Sequence, residues 1–164
     1  MRPVRPTDGP LLIDGFARLS PTSRRMRFLI GKNALSAKEL RYLTDVDHRD
    51  HEALGALDEV TGRGVGVARY VREAKDPRSA DVAITVVDPW QRRGLGSVLM
   101  ARLARRALDE GISRFTALVA ADNVAVLALL RRMDADVDLI GYEADTAQYE
   151  ITLRRRQPRS AAPV

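Results

Sequence analysis

The feature that most constrains this chain is a short apolar strand that leads through a glycine-containing loop into an amphipathic helix. The predicted strand, 80–87, is rich in β-branched residues, and the loop 91–96 follows it closely. Beyond the loop, apolar residues recur at helical spacing until Gly111, which suits a helix C-terminus: Leu95, Val98, Leu99, Leu103 and Ala107. A strand, a loop and a helix in this order predict an α/β or α+β domain.

The loop and the start of this helix form a predicted anion site. The first N–H groups of a helix have no partner within it, and the helix dipole adds partial positive charge there. Arg92 and Arg93 lie beside these groups, while Gly94 and Gly96 let a pyrophosphate approach the backbone. The pattern lacks the Lys-Ser/Thr pair of a P-loop and the three glycines of a dinucleotide fingerprint. On the loop alone, an ordinary strand-to-helix turn with surface arginines is an equal alternative.

Composition excludes several other classes of site. The chain contains no cysteine, so disulfides, thiolate zinc sites and cysteine nucleophiles are impossible. No signal-peptide pattern or apolar run of membrane-spanning length is present, which predicts a cytoplasmic protein without membrane contact. The net charge of +5 favours polyanions in general, but it is weak evidence for nucleic-acid binding.

The rest of the chain predicts one domain. Helices are expected at 9–19, 22–30 and after Ser36, followed by a hairpin within 51–74. The C-terminal part predicts a strand at 115–120, a helix at 123–133 and a strand pair at 137–140 and 148–153. We therefore expect a domain over 1–154 and a disordered tail over 155–164.

Several segments carry a family resemblance. The stretch 81–100 resembles the acetyl-CoA-binding motif of the GNAT superfamily of N-acetyltransferases, Gln/Arg-x-x-Gly-x-Gly/Ala after strand four. Ala121-Asp122-Asn123, placed before a helix, is similar to the second cofactor-contacting element. The segments 19–28, 39–57 and 64–71 resemble the acetyltransferase domain of bacterial Pat-type protein lysine acetyltransferases. The resemblance implies a mixed, mostly antiparallel sheet that is splayed between strands four and five and flanked by helices.

The resemblance also implies a cosubstrate site. Acetyl-CoA is the expected cosubstrate, and no metal is implied. Its pyrophosphate is expected at the loop and helix start: Gln91, Arg92, Arg93, Gly94, Leu95, Gly96 and Ser97. Val86 and Val87 would pair with the pantetheine arm as an added strand, with an N–H near Val86 donating to the thioester oxygen. Asn123 would contact the pantetheine from the facing element.

Asp81 is the predicted general base. Pat-type enzymes have glutamate in an Ala-Glu-x-Ala setting, and this chain reads Ala80-Asp81-Val82-Ala83. The carboxylate is one methylene shorter, so we expect it to act through a water molecule. The alternative is a solvent-exposed strand-start aspartate, with Glu73 as a reserve base. The tyrosine that protonates the leaving thiolate in many superfamily members is replaced by Leu130.

The sequence leaves open which amine accepts the acetyl group and whether the chain is catalytically active. The first hypothesis is transfer to a protein lysine, for example on an acyl-CoA synthetase, and the second is transfer to a small amine. A catalytically silent acyl-CoA sensor is a third possibility, and the chain is expected to be a monomer or homodimer. His48 and His51 have no third clustered ligand, which predicts structural or solvated roles, and Arg69 and Arg72 are predicted on the polar face of their strand.

Overall fold

The computed structural model describes residues 1–154, so the predicted tail 155–164 lies outside the described residues. The described part contains seven strands: β1 Arg2–Pro3, β2 His51–Leu57, β3 Gly64–Arg72, β4 Ser79–Val86, β5 Arg114–Ala120, β6 Ala135–Glu143 and β7 Thr146–Leu153. It also contains five α-helices: α1 Gly9–Ala17, α2 Pro21–Phe28, α3 Ala37–Thr44, α4 Leu95–Asp109 and α5 Val124–Leu130. Two short 3₁₀ turns cover Pro6–Asp8 and Asp88–Trp90.

The strands form one mixed sheet in the order β1-β2-β3-β4-β5-β7-β6. Every neighbouring pair is antiparallel except β4 and β5, which run parallel. Those two strands pair only where residues 79–81 face residues 114–116, and they separate beyond this point. The predicted splay between strands four and five is therefore confirmed.

Helices cover both faces of the sheet near this split. Glu52 of β2 accepts a hydrogen bond from Arg106 of α4, which places α4 on one face. Arg69 of β3 donates to the carbonyl of Leu43 in α3. Arg69 lies opposite Ala53, the residue after Glu52, and successive strand side chains point to opposite faces. α3 therefore packs on the face opposite α4, and the split between β4 and β5 opens to both faces of the sheet.

Element boundaries differ from the sequence predictions at a few positions. α1 ends at Ala17 because Ser20 already caps α2, accepting a hydrogen bond from the Ser23 N–H at 3.1 Å. α5 ends at Leu130 rather than 133, and the following strand starts at Ala135. β1 was not predicted, because two residues are too few to show an alternating pattern.

An ion pair between Arg2 and Asp8 holds the N-terminal segment in place, and its contribution to stability should depend on pH. Arg2 donates two hydrogen bonds to the Asp8 carboxylate, at 2.6 and 2.8 Å, and the Arg5 N–H donates a third at 2.8 Å. The side-chain hydrogen bond from Arg2 lowers the pKa of Asp8, against the opposing effect of burial. The stability that this pair adds is present above the unfolded pKa of about 3.9 and is lost as pH falls through the lower folded value.

Asp8→Asn is expected to lower the free energy of unfolding at pH 7 by about 1.5 kcal/mol, because a charge-assisted contact is lost. The gap between wild type and variant should shrink as pH falls below about 4. Urea unfolding at several pH values measures it, with the exposed β6 residue variant Asp138→Asn as the control. An equal gap at pH 7 and pH 3 would contradict the account.

Candidate functional site

The split between β4 and β5 is lined by backbone groups without strand partners. The Val87 N–H donates to the Val65 carbonyl at 3.1 Å, which fixes the phase of the β3–β4 ladder. In an antiparallel pair, alternate residues face the partner strand, so the N–H groups of Val82, Ile84 and Val86 point toward β5. β5 has already separated there. The opening therefore has a strand edge that can pair with an extended amide-containing ligand.

The alternation of hydrogen bonds between β3 and β4 shows that the prediction for Val87 is wrong. Both backbone groups of Val87 are engaged, since its carbonyl also accepts from the Trp90 N–H at 2.9 Å, and its side chain is buried. Val87 therefore cannot pair with an added strand as predicted. Ile84, which the sequence reasoning missed, has the required orientation together with Val86. The carbonyl of Val86 accepts from the Gln91 amide at 3.0 Å, and its N–H faces the opening.

The loop after β4 presents a continuous set of backbone donors. Within the described residues, none of the six N–H groups from 92 to 97 donates to a protein acceptor. Gly94 is the N-cap of α4 at φ +82°, and Arg92 also has a left-handed backbone at φ +58°. Successive N–H groups in such a turn, placed at a helix N-terminus, form an anion site. The guanidinium of Arg93 lies over the Trp90 ring at 5.5 Å.

Gly94→Ala tests the backbone of this loop. Alanine at a φ of +82° is strained, so we expect a loss of about 1 kcal/mol in unfolding free energy and weaker binding of CoA. Gly31→Ala is the control, because Gly31 has no neighbour within 4 Å of an added Cβ and no positive φ. Calorimetric titration with CoA and urea unfolding measure the two effects. Equal CoA affinity in both variants would argue against a role for this turn in binding.

Gln91 positions the loop through hydrogen bonds within the protein. Its amide donates to the Val86 carbonyl and, at 3.1 Å, to the Ser23 hydroxyl. Asp88 accepts from the hydroxyls of Ser20 and Ser23 at 2.7 and 3.0 Å. Partial burial opposes ionisation, but these hydrogen bonds lower the pKa of Asp88. Asp88, Ser20 and Ser23 were missed by sequence reasoning, because their partners lie about 65 residues apart in the chain.

Asn123 lies across the split, at the start of α5. Its Oδ1 accepts from the Val126 N–H at 3.1 Å and caps the helix. Among the described residues, its side-chain amide nitrogen has no protein acceptor. The neighbouring Asp122 pairs with Arg25 of α2 at 2.6 Å, which joins the two sides of the opening. Asn123 is thus a structural cap that retains one free donor.

Asp81 lies where β4 and β5 begin to separate, paired with Thr116. The residue is open to solvent on one side, the surrounding protein partly desolvates its carboxylate, and no hydrogen bond from the described residues reaches it. Burial raises the pKa of Asp81, Arg27 opposes this rise, and Glu73 adds to it. Glu73 is less available, because it accepts a hydrogen bond from the Thr116 hydroxyl at 2.9 Å. Of the two carboxylates, Asp81 is the one whose oxygens are free to accept a proton.

Residues 22–135 of the chain match the Acetyltransferase (GNAT) family. This range contains the split between β4 and β5, the loop over residues 92–97 with its free N–H groups (the donor loop), and Asn123. The chain belongs to this family.

Individual relatives agree with this assignment. The chain is 36% identical over 135 residues to acetyltransferase Pat of Mycolicibacterium smegmatis, covering 82% of this chain and 40% of that protein. An acetyltransferase of Pseudomonas aeruginosa is 32% identical over 128 residues, covering 77% of this chain and 68% of the relative. The GNAT domain of S. lividans PAT superposes with a TM-score of 0.85 at 28% identity, covering 93% of this chain and 89% of that domain. The chain thus resembles Pat acetyltransferases and spans less than half of the M. smegmatis relative.

Other residues of this GNAT domain have structural roles. Leu130 is 3% exposed and packs in the core, so its position offers no proton donor. The His48 Nδ1 lies 2.8 Å from Glu52, and the His51 Nε2 lies 3.1 Å from Arg69. Within residues 1–154, no three His, Asp or Glu side chains are grouped so that they could hold a metal ion. No described helix is long and apolar enough to cross a bilayer.

The prediction for Arg69 is wrong. The sequence predicts Arg69 on the polar face of its strand, whereas the structure leaves only 5% of the residue exposed, beneath α3. The reason is that helices cover both faces of β3, which alternation of polar and apolar residues in one strand does not reveal.

Proposed function

We propose that this chain is an acetyl-CoA-dependent N-acetyltransferase whose acceptor is the ε-amine of a protein lysine. One observation carries the proposal: a single opening joins an unpaired edge of β4, a loop with six free N–H groups and a free carboxylate at Asp81. These are the groups needed to bind a long amide-containing diphosphate and to take a proton from an amine.

The residues present fit acetyl-CoA. The backbone N–H groups of 92–97, with the side chains of Arg92 and Arg93, would hold the pyrophosphate. The edge at Ile84 and Val86 would pair with the pantetheine amides, and the free nitrogen of Asn123 would donate from the opposite side.

The chemistry follows from direct attack of the amine. The thioester supplies an activated acetyl group; the new N–C bond forms as the C–S bond breaks, and CoA leaves as the thiolate. A backbone N–H of Val86 or Ile84 stabilises the negative charge that develops on the carbonyl oxygen. Asp81 accepts the ammonium proton through water, since three residues of strand, about 10 Å, separate it from Ile84. The buried Leu130 leaves protonation of the thiolate to solvent.

The protein-lysine acceptor is supported by the Pat resemblance of the N-terminal segments and by the similarity to the Pat relatives. We also propose a cytoplasmic location.

Incubation with labelled acetyl-CoA tests this function. The acceptors are an acyl-CoA synthetase, a lysine peptide, a polyamine and an aminoglycoside, and we expect an added mass of one acetyl group on protein lysine. Acetylation of small amines but of no protein lysine would reject the proposed acceptor. If CoA raises the melting temperature while no acceptor is acetylated, the chain is a silent acyl-CoA-binding module.

A further inference from the structure

An apolar cavity lies beside the split, between the sheet and helices α1–α3. It has a volume of about 90 Å³, and most of its lining consists of leucine, valine and phenylalanine side chains. Thr85 of β4 belongs to the lining, and its side chain shares a sheet face with that of Asp81. The cavity therefore adjoins the strand on which the acceptor amine would react, and it has room for several water molecules or one carboxylate group.

Two arginines line this cavity without a carboxylate partner. Arg69 donates to the Leu43 carbonyl at 3.1 Å and lies 3.1 Å from the His51 Nε2. Burial lowers the pKa of Arg69 to about 10, and the nearby positive charge of Arg27 contributes. Arg27 lies over the Phe28 ring at 5.0 Å and makes no hydrogen bond or ion pair with any described residue.

The cavity has a surplus of positive charge. Its charged lining residues are Arg2, Asp8, Arg27 and Arg69. Asp8 is already paired with Arg2 at 2.6 Å, so it does not neutralise the other two. Asp81 interacts with Arg27 electrostatically but forms no ion pair with it. Buried charges in proteins are normally paired, so two partly desolvated guanidinium groups beside an empty apolar space favour an anion from outside.

Resting on the proposed function, we infer that this cavity receives a carboxylate carried by the acceptor, namely the side chain of an Asp or Glu next to the acceptor lysine. Arg69 lies opposite Ala83, between Asp81 and Thr85 on the same sheet face. Arg27 lies near enough to Asp81 to interact with it electrostatically, so a flexible acceptor segment can bring its lysine to the Asp81 side of the split and the neighbouring carboxylate to Arg27. A free guanidinium fork suits a carboxylate, and the net charge of +5 favours acidic protein segments.

Two matched peptides test the inference, identical except for Glu or Gln beside the lysine. With the wild-type chain, we expect kcat/KM to be about 10-fold higher for the Glu peptide, as one charge-assisted contact predicts. Arg27→Gln should bring this ratio close to one, and Arg27→Lys should give an intermediate ratio. Arg41→Gln, on the exposed surface of α3 and outside the cavity lining, should keep the wild-type ratio.

The outcomes separate the inference from the proposed function. Equal kcat/KM for two peptides that are both acetylated overturns the inference and leaves the lysine acetyltransferase standing. Acetylation of free glutamate but of no peptide, lost in Arg27→Gln, supports the carboxylate site and overturns the protein acceptor.

A binding measurement decides the case in which nothing is acetylated. Glutarate should raise the melting temperature of the wild type by about 2 °C relative to sodium chloride of equal ionic strength, and should not raise that of Arg27→Gln. Absence of this rise in the wild type overturns the inference.

Discussion

Asp81→Asn is expected to lower kcat about 100-fold while the affinity for acetyl-CoA stays within about 2-fold, the size usual for loss of a positioned general base. The amide retains the volume of the carboxylate but cannot accept the ammonium proton. An ordinary aspartate has a pKa of about 3.9, and burial raises the pKa of Asp81 above this value. As pH decreases, wild-type kcat/KM should therefore begin to fall at a higher pH than an ordinary aspartate would give. In the variant this acid limb should be replaced by a continuous rise of kcat/KM up to pH 9, because the acceptor ammonium, with an unperturbed pKa of about 10.4, then loses its proton only to solvent. Steady-state kinetics with a lysine peptide, measured from pH 5 to 9, determines both effects.

Two further variants separate Asp81 from its neighbours. Asp81→Glu restores the chain length found in Pat-type enzymes and is expected to retain kcat within about 10-fold of wild type. Glu73→Gln removes the nearby carboxylate, whose hydrogen bond to Thr116 occupies it, and should retain most of kcat. A 100-fold loss in Glu73→Gln with normal turnover in Asp81→Asn would assign the base to Glu73 instead.

Glu52→Ala is expected to lower the free energy of unfolding by about 3 kcal/mol, because it removes the centre of a buried ionic cluster. The Glu52 side chain is fully buried; it accepts from Arg106 at 2.8 and 3.1 Å and from the Ala53 N–H at 2.9 Å, and it lies 2.8 Å from the His48 ring. Arg106 is 44% exposed, so water can solvate it in the variant, which places the loss near the lower end for such pairs. The cluster ties β2 to α4, the helix whose N-terminus forms the donor loop.

Urea unfolding at pH 7 with an unchanged m-value measures this loss. Glu59→Ala, in the exposed turn between β2 and β3, should change stability by less than about 0.5 kcal/mol. Glu52→Gln should show an intermediate loss, because it keeps the volume and one acceptor oxygen. If Glu52→Ala is as stable as Glu59→Ala, the buried cluster contributes nothing to stability.

The sequence predicts the split strand, the donor loop and α4 because each depends on local signals. β-branched residues, a glycine that takes a left-handed φ at Gly94 and an apolar stripe over Leu95–Asp109 are readable within thirty consecutive residues. The family resemblance adds the splay, which depends on how β4 and β5 meet and has no local signature.

Features that depend on pairing between distant segments were not predicted. The assignment of Val87 failed because ladder phase is set by Val65 in the neighbouring strand. The Asp88 network with Ser20 and the burial of Arg69 beneath α3 join segments that are remote in sequence. In each case the partner is set by packing between segments that no local sequence pattern connects.

A crystal structure of the chain with acetyl-CoA tests the central claim most directly. We predict the pantetheine arm between β4 and β5, its pyrophosphate at the N–H groups of 92–97, and the thioester oxygen about 3 Å from the N–H of Val86 or Ile84. The Asp81 carboxylate should face the acceptor side of the thioester, with ordered water between the carboxylate and the acceptor amine. Acetyl-CoA bound outside the split, or a thioester facing away from Asp81, would contradict this account.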